Sequence, residues 1–188
     1  ASNPDVRDFK LYFYDLNAKI NSKIDDRNRI FVSGYFGRDV FLSDFFKFGF
    51  GNQTGTLRWN HVFGSNLFLN TTAIYSNYNY YLGSPSNDAS GFIWKSDMTD
   101  YALKFDFNLY ANTNNSIQFG YHSTYHVFDP GNARGVGEES MMNEWKVPRN
   151  YALEHGLYAM NEQNIGNKLT LKYGLRLSVF QNIVLIRD

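Results

Sequence analysis

Two histidines, His122 and His126, stand four residues apart, the spacing that sets a pair of imidazoles over one zinc ion on a helix. On an extended chain the same four steps separate them by about 13 Å, too far to share an ion. The element that carries them therefore decides their chemistry. Around them Ile117, Phe119, Tyr121 and Val127 alternate with Gln118, His122, Thr124 and His126, which is the periodicity of a strand. On a strand both histidines are lining residues of a hydrophilic face. His155 follows Glu154, but neighbours on a strand point to opposite sides. No Gly-x-Ser-x-Gly motif is present and no Ser–His–Asp set can be placed, so no catalytic residues and no enzyme are expected.

Asp129, Asn132, Glu138 and Glu139 offer the oxygen ligands that calcium takes. Their spacing matches no calcium loop, and a solvated loop without metal is the expectation; nothing calls for a cofactor. Phe48-Gly-Phe-Gly-Asn-Gln-Thr-Gly55 is glycine-rich but lacks the Gly-Lys-Ser/Thr ending of a phosphate loop. Its glycines permit sharp bends and its aromatics suit a sugar or a hydrophobic ligand, although packing of a loop against a rim explains the same residues and is the preferred reading. Phe45, Phe46, Phe48, Trp94, Arg134 and Trp145 are the loop positions singled out as candidate ligand contacts.

These residues are positioned by strands. In Tyr101–Tyr110, Tyr101, Leu103, Phe105, Phe107 and Leu109 point one way while Lys104, Asp106 and Asn108 point the other. Similar alternation recurs over Leu11–Ile24, Arg29–Arg38, the stretch around Leu57–His61, Leu67–Leu82, Ile117–Val127, Asn150–Gln163 and Leu169–Val179, about eight strands in all. The polar turns at 25–28, 64–66, 112–115 and 166–167 are tight, the last a two-residue hairpin signal at Gly166-Asn167. The connections at 39–54, 83–91 and 129–148 are long. Short turns on one rim and long loops on the other describe an antiparallel up-and-down transmembrane β-barrel. Tyr12, Trp59, Tyr75, Tyr101 and Tyr173 suit its interfacial girdles. Lys19, Arg58, Lys104, Asp106, Lys172 and Arg176 share the opposite parity, away from lipid. A soluble barrel or sandwich also alternates, but the excess of large aromatics on one face favours a membrane.

Composition agrees. The 188 residues carry 18 Lys+Arg and 18 Asp+Glu, hence no net charge, which argues against nucleic acid as a partner. Aromatics reach 18% although mean hydropathy is −0.44, as expected when apolar positions alternate with polar ones. Cysteine is absent. No apolar run approaches the roughly 20 residues of a membrane helix. Ala1–Asp8 lacks the apolar core of a signal peptide.

The segments LNAKINSKIDDRNRIFVSGYFGRD, LRWNHVFGSNLFLNTTAIYSNYNY, YALKFDFNLYANTNNSIQFGYHSTYHVFDPGN and GNKLTLKYGLRLSVFQN resemble the barrel of TonB-dependent outer-membrane receptors of the Bacteroidetes type. The resemblance runs from about Phe9 to Asn182, with Leu57-Arg-Trp-Asn-His61 and Tyr173-Gly-Leu-Arg-Leu177 as its most telling pieces. It implies energised import of a nutrient (glycan, peptide or chelated metal) across the bacterial outer membrane. In that family a barrel of about 22 strands surrounds an N-terminal plug. The implied partners are outer-membrane lipid, the plug domain, the TonB energy-coupling protein and a surface lipoprotein. This chain has no recognisable plug or coupling motif and about eight of those strands. Its ending, Ile183-Val-Leu-Ile-Arg-Asp188, lacks the family's terminal aromatic strand. Residues 1–188 are accordingly expected to be a single barrel segment with ligand contacts on extracellular loops. The alternative is a self-contained eight-stranded barrel with a structural or adhesive role.

Overall fold

A computed structural model describes residues 9–43, 45–84, 91–137 and 143–183. The alternating segments form eight long strands: β1 (Lys10–Lys23), β2 (Asn28–Leu42), β3 (Lys47–Val62), β4 (Leu67–Gly83), β5 (Phe92–Asn112), β6 (Asn115–Gly135), β8 (Asn150–Ile165) and β9 (Leu169–Ile183). A two-residue strand, β7 (Trp145–Lys146), hangs on β6. Every pairing is antiparallel, and the order is β1-β2-β3-β4-β5-β6-β8-β9. This is the up-and-down all-β sheet that the periodicity dictates.

Among the described residues the sheet has no second layer. Its buried apolar residues are Val40, Leu69, Ala133 and Ala152, whereas Leu16, Ile20, Leu175 and Leu177 are 67, 69, 87 and 65% exposed. A globular domain would turn such residues into a core against another sheet or helix. Here one face simply remains apolar.

Register sorts the faces. The rung through Leu16 runs Phe36, Gln53, Asn77, Thr99, Val127, Tyr151 and Ile183. Leu16 is at the centre of the apolar run of β1, but the apolar run of β9 is centred near Leu175, about eight residues along the strand from Ile183. At about 3.4 Å per residue and about 4.8 Å per strand step, the stripe climbs about 27 Å over about 34 Å of sheet. A stripe that stays level therefore requires strands inclined by about 40°, the tilt of a closed barrel.

The turns on one rim are short and locally fixed. The Asp25 carboxylate accepts hydrogen bonds from Arg27 N at 2.8 Å and Asn28 Nδ2 at 2.9 Å. The Asn112 side chain accepts from Asn114 N at 2.9 Å and Asn115 Nδ2 at 3.0 Å. Gly166 adopts φ +60°, a left-handed conformation suited to glycine. Because Ile165 pairs with Leu169, that loop holds three residues rather than the expected two.

The segment 39–54 is not a long loop. β2 and β3 continue through it, leaving only residues 43–46 as a connection. Phe48 and Phe50 pair with Phe41 and Tyr80 on the polar face, while Gly49 and Gly51 occupy the other. A Cβ at Gly49 would come within 2.6 Å of the Tyr81 ring, so glycine there makes room for a tyrosine and does not mark a bend. Strands likewise claim Trp94 (β5), Arg134 (β6) and Trp145 (β7), so of the six loop candidates only Phe45 and Phe46 lie in a loop. β1 and β9 do not pair with one another. Eight self-closing strands need that ladder, so the small closed barrel is not what these residues form.

Candidate ligand-facing surface

On the polar face, cross-strand pairing brings the ionisable groups together. His126 is opposite Asp100 in the register, and its Nδ1 is 2.7 Å from Asp100 Oδ1 while its Nε2 is 3.7 Å from Glu154 Oε2. His122 Nε2 is 2.7 Å from Asp106 Oδ1, and that same carboxylate oxygen accepts the Tyr158 hydroxyl at 2.6 Å. Gly120 permits this meeting. It is the residue between Asp106 and Tyr158 in their rung, and a Cβ there would run into the Phe105 carbonyl and come within 2.7 Å of the Tyr158 ring.

The two histidines thus serve two different carboxylates, as lining residues of one polar face rather than a zinc pair. Glu154 turns to His126 while His155 faces the other way, 2.8 Å from the Tyr121 hydroxyl. Lys19, Arg58, Lys104, Asp106, Lys172 and Arg176 all fall on the polar side in the register. Among the described residues no acidic and imidazole groups gather in threes to hold a metal. The oxygen cluster read from sequence is otherwise occupied: Asp129 Oδ2 pairs with Arg149 Nε at 2.8 Å and Asn132 donates to Glu144 at 2.8 Å. Glu138 and Glu139 lie outside the described residues.

Toward the rim of the longer connections, the polar face turns aromatic. Phe46 stacks on Phe41 with centroids 5.2 Å apart, Phe48 lies 5.7 Å from Phe50, and Phe50 lies 6.5 Å from Tyr78. Trp94 and Trp145 lie 5.4 Å apart. Gly131, whose added Cβ would collide with the Trp94 indole, clears the space for that pair. Four of the six sequence candidates, Phe46, Phe48, Trp94 and Trp145, thus belong to this aromatic rim. Phe45, between β2 and β3, is 83% exposed. Arg134 is exposed on the opposite face, across from Ile93. Phe41, Phe50, Tyr78 and Tyr80 complete the rim and were missed. Continuing the alternation of β2 through residue 42 reveals Phe41, that of β3 back to residue 47 reveals Phe50, and the even positions at the end of β4 are Tyr78 and Tyr80.

Rings interleaved with glycine and flanked by Asp, His and Asn form a surface for stacking and hydrogen bonding. No hydroxyl nucleophile is bonded to either polar-face histidine among the described residues.

Solved structures share this architecture. The copper transporter OprC superposes with a TM-score of 0.72 at 10% identity, over 89% of this chain and 28% of that one. The fold is that of an outer-membrane barrel wall. The ferric preacinetobactin receptor BauA from Acinetobacter baumannii gives 0.72 at 10% identity, over 97% of this chain and 36% of the receptor. The outer membrane transporter YddB from Escherichia coli gives 0.60 at 15%, over 92% and 28%. The chain therefore spans about a third of these barrel proteins, and the likeness is one of fold. No family model and no curated protein matches the sequence.

Proposed function

We infer that this chain is a stretch of barrel wall in a TonB-dependent outer-membrane receptor that imports a nutrient. The observation that carries the reading is the absence of a core among the described residues: an apolar stripe of leucines and aromatics, inclined like a barrel, on a sheet with none of them packed against it as a second layer. Acyl chains satisfy such a face, whereas water would make it an aggregation surface. The polar face then lines the lumen, and its charged rungs are where a plug domain docks. The two unpaired edges, β1 and β9, take neighbouring strands of a larger barrel.

The matched proteins, two transporters and a receptor, support import over catalysis. In the whole protein the partners are outer-membrane lipid, a plug, the TonB energy-coupling protein and a surface lipoprotein. The ligand, a glycan, peptide or chelated metal, meets the aromatic rim formed by Phe46, Phe48, Trp94 and Trp145.

The test is made in the full-length protein that contains this chain. Replacing Trp94 and Trp145 together by alanine is expected to weaken binding of the imported ligand by about tenfold or more, since each aromatic contact in a recognition surface is worth about 1–3 kcal/mol. Barrel assembly in the outer membrane is expected to persist. Unchanged uptake in an assembled double variant would remove the rim from ligand recognition, and recovery of the wild-type protein from the soluble fraction would overturn the membrane reading itself.

A further inference from the structure

The apolar face does not stay apolar to the end of the strands. Its border toward the longer connections is a tyrosine girdle: Tyr75, Tyr101 and Tyr125 occupy one rung, with Tyr151 a step beyond. Their rings lie 5.5, 6.5 and 6.2 Å apart in sequence across the sheet. One rung above, on the same face, stands Asn77, buried to 6% exposure. Its amide donates to Asp97 Oδ2 at 2.8 Å and Thr99 Oγ1 at 2.9 Å, and its carbonyl oxygen accepts from Asn79 at 3.1 Å. Above that network opens a cleft of about 470 Å³ lined by Arg38, Asn79, Tyr81, Lys95, Asp97 and Asp129.

The charges in this cleft are not balanced internally. Asp129 is neutralised by Arg149, whereas Asp97 accepts only neutral donors, Asn77 and Thr99, and keeps its charge, which leaves the cations Arg38 and Lys95 in excess. Arg38 lies over the Tyr81 ring, 5.5 Å from its centroid. Neither Arg38 nor Lys95 has a carboxylate within ion-pair distance among the described residues. Two cations without counter-ions suit a phosphate. The adjacent amide and carboxylate groups suit sugar hydroxyls. The cleft is also continuous, through the tyrosines, with the stripe that acyl chains cover, and tyrosine marks headgroup depth.

Resting on the membrane assignment above, we propose that this cleft on the outer wall holds the phosphorylated sugar headgroup of an outer-leaflet glycolipid whose acyl chains lie along the apolar stripe. The ligand is part of the surrounding membrane and is distinct from the imported nutrient, which meets the opposite face.

The experiment uses the full-length protein in phosphatidylcholine nanodiscs doped with lipid A, a phosphorylated glucosamine lipid, or with phosphatidylglycerol at equal charge. Retained lipid is counted by native mass spectrometry. Lipid A is expected to be held in preference to phosphatidylglycerol, and the double variant Arg38→Gln/Lys95→Gln to lose about tenfold or more of that retention, the loss of two charge-assisted contacts. Lys95→Arg should keep it, and so should Arg134→Gln, which removes an exposed cation outside the cleft. Equal retention of the two lipids, or no effect of the double variant, would overturn the proposal and leave the receptor reading intact. Equally tight binding of soluble glucosamine phosphate in detergent would overturn it in favour of a soluble sugar phosphate. A protein that does not enter bilayers at all would sink both.

Discussion

At the scale of single residues, the two faces make opposite demands on the same substitution. Leu175 is 87% exposed on the apolar stripe, and an arginine at such a position near the bilayer midplane costs about 2–4 kcal/mol. Leu175→Arg is therefore expected to lower the barrel's folding free energy in detergent or lipid by that amount, measured by reversible denaturant titration. On a sheet exposed to water the change would be neutral or helpful. Gly120 is the counterpart on the polar face. Gly120→Ala pushes a methyl into the Phe105 carbonyl and the Tyr158 ring, separating Tyr158 from Asp106. Overpacking of this kind costs about 1–3 kcal/mol, expected as a lower melting temperature than that of Tyr158→Phe, which loses the hydrogen bond but keeps the space.

At the scale of elements, the turns hold the register. Asn28, acting with Arg27, keeps the Asp25 carboxyl below the usual carboxylate range through the hydrogen bonds it receives. A depressed folded-state value means that the contribution of Asp25 to the β1–β2 turn is full above the ordinary carboxylate range and is lost as the pH falls through the folded value. Protection of the Ile24 and Asp25 amides against hydrogen exchange, both bonded to Asn28 O, should fall in acid relative to their intrinsic rates at the same pH, and Asp25→Ala should show the lower protection already at neutral pH. The same elements explain what the sequence makes legible. Leu169–Val179 and Tyr101–Tyr110 alternate so regularly that their strands and faces follow from side-chain parity alone. β2 and β3 beyond residue 39 do not: Phe45-Phe46 and the Phe–Gly series imitate loop composition. Only the register shows that Gly49 yields space to Tyr81 and Gly131 to Trp94. The acid–imidazole pairs were equally hidden. Asp100 with His126 and Asp106 with His122 are 26 and 16 residues apart, and no local pattern specifies which rungs meet.

At the scale of the whole molecule, the consequence is incompleteness. Each edge strand carries a row of backbone donors and acceptors that a barrel would saturate. The excised 188-residue chain is expected to associate in aqueous buffer and to remain monomeric only in detergent or lipid, as analytical ultracentrifugation would read. Outward-facing amides of β1 and β9 should exchange rapidly in the excised chain and slowly in the full-length protein. A compact monomer in plain buffer would mean that the apolar stripe has found a core.

An even number of long strands has a further implication for growth of the wall. β1 starts and β9 finishes at the same rim, and each hairpin begins and ends there too. Such a panel can be lengthened or shortened by whole hairpins without reversing the chain's polarity across the membrane. A single added strand would send everything after it to the wrong side. The circumference of this architecture is thus quantised in pairs, and a duplicated hairpin inherits the slope of the panel it came from.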